Sequence, residues 1–350
     1  MYSIPQHIDF IKNLTIDSVI SEKQNKSRLI EIPTTATVEE AFDVLLAENI
    51  LSVPVYKYFK GRKQPIAIIS VLDLVSFICL QPIFENKEDN NDKNLNFENQ
   101  YFLQKPVSEI VGLTSESTNL TMCRPENSLV DLLELLTRKR IHRVLVSKQY
   151  CDGGDNEEIS SSPYFVSQTD VIRFLFNNNH KLGEILDLPA CKAANQTIKL
   201  LLSSSTTTSK NQKQELLLSR PSSITIHDRA LTAFKKIYQD GVSAVAVVND
   251  DGSLVAEVSA ADLRGLNRDR LNDLKKPVIM FLKSSKGALI KPLTCHRKFT
   301  LSQVMAGITL NKTHRAWFVD EDDIPIGVIT LSDILSMFLP GVSDVFAHES

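Results

Sequence analysis

The sequence predicts an α/β chain, α+β in the sense that helices and short sheets alternate within each unit, built from four copies of one small module packed in pairs. Three observations predict it. One order of elements recurs four times along 350 residues: a polar capping residue, an amphipathic helix, two β-branched strands and a short closing helix. Ser or Thr followed two residues later by x-Asp marks each strand-to-helix junction. Each copy is too small to bury its own apolar faces, so neighbouring copies are expected to pack one with two and three with four.

In copy one, Thr37-Val-Glu-Glu40 reads as a capping box, in which hydroxyl and carboxylate satisfy orphan amides reciprocally. Ala41, Val44, Leu45 and Leu46 continue it as an apolar stripe; Val53 to Tyr56 and Pro65 to Ile69 read as strands, and Val71 to Leu80 as the closing helix. Copy two starts at Ser128 and Asp131, has strands at Val144 to Val146 and Tyr164 to Val166, and closes from Asp170 to Phe176. Copy three has Asp228 capping a helix from Ala230 to Tyr238, strands at Ala244 to Val248 and Leu254 to Val258, and a closing helix from Ala260 to Leu266. Copy four begins at Thr300 with Gln303, continues with Trp317 to Val319 and Ile326 to Ile329, and closes from Leu331 to Phe338.

The organisation that follows is repeat one at 10–82, a polar insert at 83–104, and repeat two at 105–182 with an internal loop at 149–162. A linker region at 183–219, repeat three at 220–268, repeat four at 275–340 and a tail at 341–350 complete the chain. The inserts are low in apolar residues, and Ser203 to Gln214 (SSSTTTSKNQKQ) is the expected divider between the two halves.

A hydrophobic content of 43%, a charged content of 23% and a net charge of −3 suit a globular chain, with no overall basic excess for a nucleic-acid backbone or an anionic membrane. Met1 to Asp9 lacks the basic and apolar regions of a signal peptide, and no apolar run nears the length needed to span a bilayer. Cys79, Cys123, Cys151, Cys191 and Cys295 are scattered and never spaced CxxC, which argues against a zinc site or disulfide framework and for the cytoplasm, the nucleus or both.

Two constellations carry chemistry. Ser70 with Asp73, Ser167 with Asp170, Ser259 with Asp262 and Thr330 with Asp333 each open a closing helix. They read equally as plain capping boxes and as ligand sites, where the carboxylate accepts a ribose diol and the hydroxyl and helix-start amides meet a phosphate. Both roles can hold at once. Arg140-Ile-His142-Arg143 and Lys312-Thr-His314-Arg315 lie between helix and first strand of the even copies. Arg offers phosphate a bidentate fork and His a donor that titrates near neutrality; the bland alternative is a basic turn complementing a helix C-terminus, the reading given to Arg138 and Lys139.

Helix–strand–strand–helix copies ending in [Ser/Thr]-x-x-Asp resemble CBS (cystathionine-β-synthase) motifs. Arg140 to Arg143, Val242-Ser-Ala244 with Val247-Val248, and His314-Arg315 with Gly327 to Leu335 resemble the γ regulatory subunit of AMP-activated and sucrose-non-fermenting-type kinases, in particular the divergent plant γ-like members. The resemblance implies two paired (Bateman) modules in a disc, with clefts for AMP, ADP or ATP, no cofactor, and a catalytic α-type kinase subunit and a β-type scaffold as partners. It implies ribose binding by Asp73, Asp262 and Asp333, phosphate contact by His142, Arg143, His314 and Arg315, and clefts lined by Ser243, Ala244 and Thr330.

The chain departs from that pattern. Leu51 stands for a phosphate-binding Arg, Thr169 for a Lys, and Asp170 where the kinase subunits usually carry Arg. At about 1.5–3 kcal/mol per charge-assisted contact, two such losses weaken binding by roughly two orders of magnitude. A second expectation is therefore a CBS scaffold that works by protein contact with weak or no nucleotide sensing. An enzyme is not expected: no Gly-rich phosphate loop, nucleophile elbow or paired catalytic carboxylates occur.

Overall fold

The computed structural model describes residues 5–23, 29–82, 97–118, 120–138, 141–147, 163–193 and 221–340. Arg140, Cys151, the 149–162 loop, most of the 83–104 insert, Ser203 to Gln214 and the 341–350 tail lie outside them.

Two short helices, α1 (Gln6–Lys12) and α2 (Ile16–Glu22), come first. Copy one is β1 (Ile32–Pro33), α3 (Val38–Ala47), β2 (Ser52–Phe59), β3 (Arg62–Ser70) and α4 (Val71–Cys79), followed by a helical turn, α5 (Ser115–Thr118). Copy two is β4 (Met122–Cys123), α6 (Leu129–Arg138), β5 (Arg143–Val146), β6 (Tyr164–Ser167) and α7 (Gln168–Asn177). Copy three is β7 (Ser223–Thr225), α8 (Ala230–Asp240), β8 (Ala244–Val248), β9 (Leu254–Ser259) and a 3-10 turn at Ala260–Leu263, after which α9 (Val278–Lys286) follows. Copy four is β10 (Thr294–Cys295), α10 (Leu301–Asn311), β11 (Arg315–Val319), β12 (Pro325–Thr330) and α11 (Leu331–Met337).

Every copy thus opens with a strand of two or three residues that periodicity did not reveal, since so short a run has no pattern to read. It pairs parallel to the first long strand, which pairs antiparallel to the second, giving four three-stranded sheets of identical order. Two element assignments change. Asp228 does not cap α8: its carboxylate turns back to accept the Thr225 N–H and hydroxyl, and Arg229 holds the N-cap position. The closing helix of copy three stops after one turn, because Arg264 is extended and Gly265 takes φ +68°, a left-handed conformation costly for any residue with a Cβ.

The chain forms two compact units. The even unit (Met1–Leu29, Thr121–Pro221, Pro292–Ser350) holds copies two and four; the odd unit (Ile30–Leu120, Ser222–Lys291) holds copies one and three. In the odd unit Phe42, Leu74, Phe234 and Phe281 lie in one buried core, with Phe234 and Phe281 edge to face at 5.6 Å. In the even unit Leu132, Leu175, Met305 and Phe338 do the same. The continuous cores are therefore shared by non-consecutive copies, through their helices, rather than by the consecutive ones expected from sequence.

Consecutive copies are related in another way: they exchange leading segments. The first amides of α3, α6, α8 and α10 are orphan donors, as at any helix start. Val38 N–H donates to Lys105 O, Leu129 to Leu14, Ala230 to Lys276 and Leu301 to Leu188, at 2.8–3.0 Å. The stretch before copy one thus caps copy two and the reverse, and copies three and four do likewise. Among the described residues, 10–23 consequently lie with copy two and 105–118 with copy one, unlike the boundaries drawn from sequence. Of the expected linker, residues 183–193 are described and form short 3-10 turns, with Ile185 and Ala190 buried in the even core.

Candidate functional site

The four junctions share one geometry. The carboxylate of Asp73, Asp170, Asp262 or Asp333 accepts, through Oδ2, both the backbone N–H and the hydroxyl of its Ser or Thr N-cap at 2.6–3.2 Å. The capping reading of these motifs therefore describes all four, and one oxygen of each is consumed locally. What distinguishes the copies is what else meets the carboxylate and what stands opposite the cap.

Register places an equivalent residue opposite each cap: Ser52 faces Ser70, Arg143 faces Ser167, Ala244 faces Ser259 and Arg315 faces Thr330. Directly opposed residues of an antiparallel pair bring their Cβ atoms to about 5 Å. The position is small in copies one and three and arginine in two and four. The residue just before it is Leu51, His142, Ser243 or His314. The carbonyls of Leu51, His142 and Ser243 accept the first helical N–H of their own closing segment (Val71, Gln168, Ala260) at 2.9–3.0 Å, fixing strand to cap.

In the odd unit the carboxylates are engaged by the protein itself. Asp73 is fully buried, and its Oδ1 accepts the Thr114 N–H at 3.1 Å, the Thr114 hydroxyl at 2.6 Å and the Ser117 hydroxyl. With five donors on two oxygens the carboxylate is saturated. Burial pushes its pKa up, and the bonds from Ser117, Thr114 and Ser70 work against that rise. Asp73, expected from sequence to take a ribose, here clamps the α5 turn on the start of α4 through both of its oxygens. Asp262 gives Oδ1 to Lys286 Nζ of α9 at 2.8 Å, with its side chain 8% exposed. Arg264 beside it is half-buried and lowered from the usual guanidinium range by that burial, a fall that Asp262 opposes. Ala244 is buried and Ser243 partly so. Leu51 packs against the core, so the odd unit has an apolar group where a phosphate would need charge.

The even unit is built differently. Arg143 and Arg315 each start a strand opposite a cap, with His142 and His314 immediately before them; Arg315 and Asp333 are buried while both histidines are partly exposed. The two closing helices meet here. The buried Gln168 amide, at the first position of α7, donates to Ser332 Oγ at the start of α11 (2.7 Å) and to Leu136 O (2.8 Å). Asp170, the departure noted in copy two, does not remain an uncompensated charge. Lys23, just past α2, donates to its Oδ2 at 3.1 Å and to Phe165 O at 2.8 Å. Thr330 also accepts the Asp333 N–H at 3.3 Å.

Of the ten residues expected from sequence, the fold brings His142, Arg143, His314, Arg315, Thr330 and Asp333 into the even unit, while Asp73, Ser243, Ala244 and Asp262 lie in the odd one. Thr114, Ser117, Lys23, Lys286 and Gln168 were not found from sequence. Their partners lie 24 to 164 residues away along the chain, and nothing in their local pattern marks them.

Residues 214–268 and 288–339 match the CBS domain family. Across 96% of its length the chain is 26% identical to the SNF1-related protein kinase regulatory subunit gamma-like PV42b of Arabidopsis thaliana, covering 97% of that protein. It is 24% identical to PV42a of the same plant, over 88% of the chain and 90% of that protein. Protein SDS23 of Candida glabrata is 24% identical over 91% of the chain, which spans 55% of that protein's length. Among solved structures, a Methanocaldococcus jannaschii protein described as a candidate archaeal homologue of g-AMPK shares the fold. Its TM-score is 0.62 at 16% identity, over 93% of this chain and all of that one.

Proposed function

Taking the chain as a CBS-domain protein that resembles γ-like regulatory subunits of SNF1-related kinases, we propose that it is a non-catalytic subunit of such a kinase complex that binds an adenine nucleotide in its even unit. The observation that carries the reading is that two His-Arg pairs and two capped helix starts lie in one unit, with the helix starts joined by the Gln168–Ser332 bond. Helix-start amides and guanidinium groups together favour a phosphate. Arg143 and Arg315 supply the forks, His142 and His314 further donors, and Asp333 with Thr330 takes the ribose. Asp262, Ser243 and Ala244 form at most a weaker second site, since Lys286 must be displaced to free the Asp262 oxygen.

The odd unit supports the second reading, a scaffold acting by protein contact. Its saturated Asp73, lysine-held Asp262 and apolar Leu51 leave it poorly suited to phosphate. The two readings combine: one unit senses and the other holds. Co-expression with a catalytic α-type and a β-type subunit of an SNF1-type kinase tests the complex. Co-purification in stoichiometric amounts is expected; recovery of neither subunit overturns the kinase assignment.

A further inference from the structure

Among the described residues, the β2–β3 hairpin of copy one has longer strands than its counterparts. Its strands run eight and nine residues, against four and four, five and six, and five and six in copies two, three and four. The additional rungs are Lys57 opposite Gln64, Tyr58 opposite Lys63 and Phe59 opposite Arg62, closed by Lys60-Gly61 with φ of 49° and 77°. Two left-handed residues make this a type I′ turn, whose twist suits a tight hairpin, and glycine takes the second position at little cost. Burial ends at Val55 and Ala67, so about 10 Å of hairpin stands beyond the core at 3.4 Å per rung.

The tip is both basic and aromatic. Residues 56–64 carry Lys57, Lys60, Arg62 and Lys63 and no acid. Tyr58 is 68% and Phe59 52% exposed. Alternation along the strand puts Tyr56 and Tyr58 on one face, edge to face at 5.8 Å, with Lys63 4.1 Å over the Tyr56 ring and also paired with Glu31. Phe59 lies on the other face with Lys60 Nζ 5.6 Å over its ring. Lysines and Pro65 on an edge strand guard against unwanted pairing. That purpose does not account for two large rings left in water at the same tip, which works against it.

We infer that this hairpin is a docking element for an acidic patch on a partner protein, with carboxylates set around a small apolar pocket that takes Phe59 or Tyr58. Aromatic anchors ringed by cations match the anatomy of binding hot spots, and charge complementarity supplies the steering. A lipid surface fits less well, because Lys60 lies over Phe59 and its charge would follow the ring into hydrocarbon. Single-stranded nucleic acid needs rings in a row as stacking platforms, whereas Tyr58 and Phe59 point to opposite faces. The chain's net charge is −3 despite this hairpin, so the remainder repels any extended polyanion but not a local patch reached by a projecting tip.

The test uses the full chain and a fluorescein-labelled peptide, EELEELEELEEL, in fluorescence anisotropy at low salt. Binding is expected, weakened about tenfold by Lys57→Glu with Lys60→Glu and about fivefold by Phe59→Ser, with melting temperatures unchanged. Should the charge reversal lower the melting temperature, Lys57→Gln with Lys60→Gln replaces it, with about a threefold loss expected. No binding by the wild type, equal affinity in the lysine variants, or tighter binding of phosphatidylserine vesicles or twelve-base oligo-dT than of the peptide overturns the inference. None of these outcomes depends on the kinase assignment.

Discussion

The even and odd units repeat the same sheet order, the same capping carboxylate and the same register, yet their junctions differ in charge. Opposite each cap the odd unit places Ser52 or Ala244 and the even unit Arg143 or Arg315. In the odd unit Thr114 and Ser117 donate to Asp73 and Lys286 to Asp262; in the even unit Lys23 donates to Asp170 although Arg143 stands opposite its cap. One repeated local architecture thus carries different charges opposite its caps and draws different distant side chains onto its carboxylates. A buried carboxylate must be satisfied by something.

The difference can be broken most sharply at Asp73. Asp73→Asn presents an amide to five donors, leaving at least two buried donors unpaired, and should cost about 2–4 kcal/mol in urea unfolding. A cost below about 1 kcal/mol contradicts the clamp. In the even unit, Gln168→Ala removes the donor to Leu136 O and Ser332 Oγ. About 1–2 kcal/mol of stability is expected to go, with AMP affinity falling as the two helix starts lose their tie. Unchanged AMP affinity would separate the bridge from the site.

Lys286→Ala sharpens the comparison on a smaller scale. It leaves the nearly buried Asp262 without its cation, at about 1 kcal/mol, since Lys286 itself is 28% exposed and partly screened. No loss of stability in thermal unfolding would show the pair to be incidental. The mildest probe is chemical. Burial pushes the Cys79 thiol of the odd unit and the Cys295 thiol of the even unit up to about 12. At pH 8 each then holds on the order of a thousandfold less thiolate than a free thiol of pKa about 8.5. Among the cysteines of the described residues, iodoacetamide should label the partly exposed Cys191 first, and Cys79 and Cys295 only on unfolding, as read by mass spectrometry. Because these folded pKa values lie above the unfolded one, both thiols cost stability as pH rises beyond about 8.5.

Much of this was legible in the residues. Thr37 with Glu40 and Thr300 with Gln303 form the capping boxes their spacing announces, and all four Asp carboxylates bond their caps as the motif demands. These are contacts three residues apart, which sequence encodes directly. Which copies share a core was not legible, since leucines at helical spacing in α6 look the same whether copy four or copy one covers them. The exchange of leading segments was hidden too, because Leu14 and Lys105 act through backbone carbonyls that carry no side-chain signature. At Asp73 the local cap is legible, while its further partners Thr114 and Ser117 are not, because they arrive from 41 and 44 residues away.

The central claim is that phosphate recognition belongs to the even unit. Calorimetric titration of AMP into the wild type, Arg143→Ala with Arg315→Ala, and Asp262→Ala tests it in one series. At about 1.5–3 kcal/mol for each charge-assisted contact, the double arginine variant should lose a hundredfold or more in affinity, while Asp262→Ala keeps the wild-type value within about threefold. AMP binding that survives the loss of both arginines, or that disappears with Asp262, contradicts the account.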